Sequence, residues 1–560
     1  MALRATRKRY PTIFLAFALA LLAACNPAKE NPPPGGSQPP PGAWVAPAGV
    51  PDPEFGIVEK LEDYYTRPDP WDEETPGWYY VDQYHPDASD ARTYGTPAAP
   101  RATLPDPIPA GSVVEVHGRY DYAPTGYDVV QAEGTAEAPV FIVGDEPSGS
   151  GPALVTRKWV VKSSYTILEG FEFTDFGKVT FNYPSHHVAL RNSELHDMAG
   201  KIGGGGRSDA ERVRHIVIYN NKIHSQDGWD QNPDVDLDNH GIKFGSYTED
   251  VWVLDNVGYH NGGSFIQIGD WGDGSTEALN RSRRFYVARN DLYANRQSPI
   301  GIKQATDVII SENVLHDNQK IQSNAAGQSG VVFQYGPERV WILFNRIYNS
   351  NSGITAGSNS GGTGQEQYII GNVIYDIAVP PDFTYNPNTG WAPAAIMLAG
   401  GRNRHIVDNT IWNVDGGIHS PGGDGSLQIH GNLVANVRQG RHVFVELGNA
   451  VSASRITGNV FFQAGGAPTF RLGSTAFTGV AELDAAAQAS GNLEADPLLA
   501  DPAAGDLRPQ AASPLVDSGS ENDVYQRFFD LYGLDIRRDA AGTPRPQGAA
   551  WDRGAYEYVR

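Results

Sequence analysis

The stretch NPDVDLDNHGIKFG, residues 232–245, places Asp234, Asp236 and Asp238 at every second position and follows them with His240 and Lys243. Clustered carboxylates suit a hard cation such as Ca2+, which takes several oxygen ligands. The D-x-D-x-D opening is that of a helix–loop–helix calcium loop. Its sixth position, however, is Asn239 where the tight turn needs glycine, and its twelfth is Gly245 where a bidentate glutamate is needed. No helical pattern flanks it. The three aspartates remain a candidate calcium site of looser geometry, with a solvated acidic loop as the default. Lysine offers other chemistry, because burial or a neighbouring cation lowers its pKa and turns it into a base. Lys243 and Lys303 each close a Gly-Ile-Lys triplet, and His419 closes a Gly-Ile-His triplet. These three are the catalytic candidates; solvent-exposed residues on a sheet face are the bland alternative.

Triplets of this kind need a frame that repeats. From about residue 165 one pattern recurs: a short β-branched strand, an asparagine, a second apolar strand and a turn. It reads VALRNSELHD (188–197), IVIYNNKIHS (216–225), VWVLDNVGYHN (251–261), FYVARNDLYAN (285–295), VIISENVLHDN (308–318) and onward to RITGNVFFQ (455–463). A recurrence of strands and turns in this size range is a solenoid whose coils stack about 4.8 Å apart and build one continuous core. The central asparagines, among them Asn192, Asn221, Asn256, Asn290 and Asn313, are expected to form a ladder at one bend, where Asn also tolerates left-handed backbone. The abundance of glycine (63) and scarcity of methionine (3) agree with a turn-rich β protein.

After each asparagine-bearing pair comes a third strand: GIK (241–243), FIQ (265–267), GIK (301–303), VFQ (332–334), GIT (353–355), MLA (397–399) and GIH (417–419). With the middle residue facing the core, its successor faces out. Stacking then lays Lys243, Gln267, Lys303, Gln334, Thr355 and His419 along one outer row, with the two lysines about 9.6 Å apart. Insertions at 225–240, 318–329 and 378–393 leave from one edge of this row, and the last carries Phe383, Tyr385 and Trp391, flat rings suited to sugars. The insertion at 271–284 leaves from the other edge with Arg281, Arg283 and Arg284. A polar row between loop walls is where a cleft forms. Gln267, Gln334, Arg283, Tyr385 and Trp391 are the candidate substrate-binding residues. GKIGGGGRS (200–208) lacks the ending of a phosphate loop and reads as a turn.

The repeat resembles that of right-handed parallel β-helix proteins of the pectate-lyase-like superfamily. IPAGSVVEVHGRYDY and GTAEAPVFIVGDEP (108–147) resemble the cap that starts such helices. Residues 494–519 and 538–558 resemble the closing segment of secreted bacterial members, matched by Asp539, Arg545, Asp552, Gly554, Ala555 and Glu557. The resemblance implies an all-β, single-stranded solenoid with an N-terminal cap and a C-terminal closing segment. Its expected layout is a β-helix over 108–520, a closing segment over 521–560 and an aromatic-rich region over 54–107. It also implies action on carbohydrate, foremost β-elimination of an acidic polysaccharide by a lyase. Lysine serves as base in several related lyases. The Asn-Thr-Asp, Asp-Asp, Gly-His-Gly and Arg-Ile-Lys signatures of related hydrolases are absent. Hydrolysis through Asp270 and the 234–238 acids, epimerisation, and glycan binding or adhesion without turnover stay open.

The net charge of −22 argues against nucleic acid and acidic membrane surfaces as partners, and a polyanionic substrate would need a local basic cleft. The start of the chain is basic, then apolar over 13–24, and LAAC (22–25) resembles a lipoprotein signal cleaved before a lipid-modified Cys25. Residues 1–24 are thus expected to be a signal peptide and 25–53 a Pro/Gly-rich tether. This predicts a monomer held by lipid at the bacterial cell envelope, with Asn26 leaning towards the outer membrane or cell surface. With one cysteine, no disulfide forms within the chain.

Overall fold

The computed structural model describes residues 44–69, 71, 75–121, 126–144, 151–229, 238–270, 276–318, 329–357, 366–378, 394–422, 425–446 and 449–560. They wind into a right-handed parallel β-helix. One coil shows the plan: Thr248–Leu254 lies in a first sheet, Val257–Tyr259 in a second and Ile266–Ile268 in a third, and Ser282–Ala288 re-enters the first sheet. Among the described residues the three sheets hold 15, 14 and 14 strands. Pairing is parallel from coil to coil, and only the third sheet ends otherwise among the described residues, where Thr469–Leu472 pairs antiparallel with Thr475–Thr478. The helix starts earlier than residue 108, because Trp78–Val81 already pairs with Val113–Val116 as the first strand of the first sheet.

The sheets differ in what covers them, and the sequence shows why. In VWVL, Val251 and Val253 fill the helix interior while Trp252 faces outward. There it joins an outer apolar layer with Ala48, Val50 and Phe55 from the N-terminal segment and with Val524, Tyr525 and Phe528 of the helix Asp523–Tyr532. Strands buried on both faces read as near-continuous apolar runs. Residues 44–53, expected as the end of the tether, are thus part of the folded body: Ser311 Oγ donates to Ala48 O (2.7 Å) and Trp252 Nε1 to Pro51 O (2.8 Å). On the second sheet the hairpin Leu499–Asp501 and Asp506–Pro509 packs Leu499 and Leu507 over Val373, Leu433 and Val460. Third-sheet strands alternate instead, with Ile242 and Phe244 in the core and Lys243 between them half-buried outside. Neither outer apolar cluster lies on that face.

An asparagine ladder fixes the bend between first and second sheets. Asn256 Nδ2 donates to Ile218 O (2.9 Å) and to Asn290 Oδ1 (3.0 Å), and the same link runs from Asn221 to Asn492. Asn192 is not in it. Ser193 holds the ladder position and its N–H donates to Asn221 Oδ1 (3.0 Å), while Asn192 is the exposed residue before it, at φ 52°. The left-handed backbone belongs to the residue preceding each ladder amide, as at Asp255, Arg289, Glu312 and Phe344. The asparagine is selected for its amide, which satisfies buried backbone groups of two coils. Arg545, Glu557 and Asp539 tie the closing segment together: buried Arg545 donates to Asp552 O (2.9 Å) and Gly554 O (2.7 Å) and pairs with Glu557 (3.2 Å), while Asp539 accepts the Thr543 and Glu557 N–H groups.

Candidate active site

Strand register divides the expected outer row into two columns. Lys243 lies beside Gln267, and Gln267 lies beside Gly301 rather than Lys303. The column continues through Val332, Thr355, Met397 and His419. Lys303 and Gln334 lie two residues further along their strands, donating their N–H groups to Ile268 O and Ile302 O. A two-residue offset preserves the facing of a side chain, so both still point outward, in a second column about 7 Å to the side. The reason is at Gly301: Gln267 Oε1 lies 3.1 Å from where a Cβ would stand, and Gln267 Nε2 donates to Gly301 O (3.3 Å).

GKIGGGG is not a turn. Ile202–Gly205 is a third-sheet strand between Val179–Asn182 and Ile242–Phe244, packed so closely that a Cβ on Gly203 or Gly204 would overlap the carbonyls of Lys243 and Phe181. It sets Lys201, half-buried, beside the expected site. Burial first, and then Lys243, lower the Lys201 pKa. Burial also leads in lowering that of Lys303, helped by Lys243 and Lys201 and opposed by Asp238 and Asp270. Lys243 Nζ pairs with Asp270 Oδ1 (3.4 Å), and Asp270 Oδ2 accepts the N–H (2.8 Å) and Oγ–H (3.1 Å) of Ser246.

His240 lies buried at the same place. Its Nδ1 accepts the Ser264 N–H (2.9 Å), and Gly263 must be glycine because a Cβ there would come within 2.6 Å of that nitrogen. The neutral ring therefore carries its proton on Nε2, which lies 3.9 Å from Asp238 Oδ1. Burial, with Lys201, Lys243 and Lys303 acting against Asp238, pushes the His240 pKa down to about 3. Three lysine amines, a neutral imidazole, two carboxylates and the Gln267 amide thus share one outer patch. The chemistry available is proton transfer by lysine and neutralisation of an anion.

Other expected residues fall elsewhere. His419 is six coils from Lys243, about 29 Å along the axis. It accepts or donates at Glu446 Oε1 (2.7 Å) and stacks on Phe444 with ring centroids 4.9 Å apart. Burial lowers its pKa. It cannot act on the same bond as Lys243. Arg283 is a first-sheet residue beside Glu249, to which its Nε donates (2.7 Å), and so it does not wall the third-sheet row. Thr355 is outward but buried, hydrogen-bonded to Ser329 (2.6 Å). Tyr385, Trp391, Asp234, Asp236 and Cys25 lie outside the described residues. Asp238 accepts Gln297 Nε2 (2.9 Å) and acts electrostatically on Lys201 and Lys303. Among the described residues no group of three or more His, Cys, Asp or Glu could hold a metal ion.

No family model matches the chain, and no curated protein matches it by sequence. Among solved structures, it is similar to a mannuronic acid specific polysaccharide family 6 lyase from human gut microbiota (13% identity, 70% of this chain and 87% of that one, TM-score 0.40). It is similar also to the pectate lyase Pel9A (13%, 86% and 96%, 0.37) and to the A-module of the Azotobacter vinelandii mannuronan C-5 epimerase AlgE4 (15%, 56% and 91%, 0.36). The fold assignment rests on the strand pairing above.

Proposed function

We propose that the protein is a polysaccharide lyase that cleaves an acidic glycan by β-elimination on the outer face of the third sheet. It would be tethered to the cell envelope through a lipidated Cys25. The observation that carries this reading is the grouping of Lys201, Lys243 and Lys303 around neutral His240 on the sheet face that, among the described residues, carries neither outer apolar cluster. In the reaction, Lys303, once it has lost its own proton, takes the proton on the carbon beside the substrate carboxylate. The electrons of that C–H bond form a carbon–carbon double bond, and the bond to the glycosidic oxygen breaks. Lys243 neutralises the charge that builds on the carboxylate, as elimination requires. Lys201, an ammonium with a lowered pKa, gives its proton to the leaving oxygen. His240 Nε2–H adds a hydrogen-bond donor at the same place.

Incubation with alginate, pectate and glycosaminoglycans, with and without calcium, is expected to produce the ultraviolet absorbance of an unsaturated uronate from at least one of them. Silence across the panel overturns the reading. Reducing ends without that absorbance would indicate hydrolysis, and binding without either would indicate a glycan-binding protein.

A further inference from the structure

The cationic surface continues beyond the proposed centre. Lys158, Lys178 and Lys201 each immediately precede a third-sheet strand position in three successive coils, with Trp159 beside Val179 and Thr180 beside Gly203. They stand over one another about 4.8 Å apart. All three are half-buried. Among the described residues no carboxylate forms an ion pair with any of these three, although Asp238 and Asp270 act on Lys201 from further off. Like charges directly opposite on neighbouring strands destabilise a sheet. Burial, together with Lys178, lowers the Lys158 pKa. Ring faces accompany the cations: Lys158 Nζ lies 5.6 Å from the Tyr127 ring centroid, and the Arg157 guanidinium 5.6 Å from that of Phe176. Phe176 is 62% exposed and Tyr127 41%, large values for aromatic side chains. Asp175, beside Phe176, is the nearest acid in sequence and is itself exposed.

We propose that Lys158, Lys178 and Lys201 form an anion-binding track that extends the groove towards the N-terminal end of the helix and holds the acidic groups of a saccharide chain, with Tyr127 and Phe176 against its apolar faces. Regularly spaced cations beside exposed rings recognise a ligand that is both a repeated anion and a stack of C–H faces. The inference rests on the acidic-glycan reading but not on turnover. It also gives the groove a direction: acidic units are gripped on the N-terminal side of the centre, since the continuation in the other direction, at Val332, Thr355 and Met397, carries no charge.

The test is calorimetric binding of the full-length protein to polyuronate, to a sulfated glycan and to a neutral glycan, for wild type, Lys158→Ala/Lys178→Ala and Lys158→Arg/Lys178→Arg. The double alanine variant is expected to bind the acidic polymer at least tenfold more weakly, the arginine variant to recover most of that loss, and the neutral glycan to bind none of them. Where polyuronate is cleaved, KM should rise tenfold in the alanine variant while kcat stays within twofold. Its melting temperature should not fall, because a repulsive column has been relieved. Preference for polyuronate over sulfated glycan would assign the track to carboxylates; the reverse would assign it to sulfates. Unchanged affinity in the alanine variant, or no acidic glycan bound by wild type, overturns the proposal. Binding that depends on the lysines without any unsaturated product leaves the track standing and overturns the lyase reading alone.

Discussion

The first and third sheets share one repeat and one coil spacing but place charge in opposite ways. On the first sheet arginines repeatedly meet a carboxylate one coil away. Arg284 Nη2 donates to Asp250 (2.8 Å), Arg289 to Asp255 (2.8 Å), Arg339 to Asp307 (3.0 Å) and Arg191 Nε to Glu169 (2.7 Å). Asp250, Arg284, Asp307 and Arg339 all have left-handed backbone, with φ between 50° and 58°, so the pairs recur at one fixed kink. On the third sheet Lys158, Lys178 and Lys201 stack cation on cation, and Lys243 and Lys303 follow. Alternating charge supports a stack of coils, whereas like charge weakens it. The first arrangement serves the frame. The second gives the fold nothing and is understood only through what lies outside it.

Damage to the frame should be the largest effect on stability. Asn290→Ala removes donors to Val253 O and Asn313 Oδ1 and an acceptor for the Asn256 N–H, all buried. Chemical denaturation should report a loss of about 3 kcal/mol, since each stranded buried group costs about 1–3 kcal/mol. Asp250→Ala should cost less, about 1 kcal/mol, because the pair is partly solvated and Arg284 keeps Glu249 at 3.3 Å. Glycan cleavage should be unchanged in it. The smallest effect is the most discriminating. Lys178→Glu gives the third sheet the alternating pattern of the first, and should raise stability by about 0.5 kcal/mol while weakening affinity for an acidic polymer. Loss of stability in that variant would mean that the lysine column supports the fold, and the contrast between the sheets would fail.

Much of this frame is legible in the amino-acid sequence because a coil repeats its errors as well as its rules. VWVL, FYVA and VIIS announce strands buried on both faces, and the recurring asparagine announces the bend. The site was harder to read. Register slipped by two residues at 301–303 because Gly-Ile occurs there as it does at 241–242, and only the Gln267 side chain, which fills the space over Gly301, distinguishes them. Lys201 was hidden by a run of glycines that looks like a turn, although those glycines are a strand with no room for side chains. A signal was present: Lys158-Trp159, Lys178-Val179 and Lys201-Ile202 are three lysine–apolar pairs at the same point of successive coils. His240 gave no such sign, because its neutrality comes from burial and from three lysines, two of which, Lys201 and Lys303, are distant in sequence.

The most direct test of the account is the rate of unsaturated uronate formation on an acidic glycan, measured against pH for wild type and Lys303→Met. A base must lose its proton, so the wild-type rate should rise with pH through the lowered pKa of Lys303 and fall again as Lys201 loses its own. Lys303→Met should lower the rate by about 10²- to 10⁴-fold at every pH and keep the wild-type melting temperature. A folded Lys303→Met protein that cleaves the glycan at the wild-type rate, with the wild-type pH profile, would contradict it.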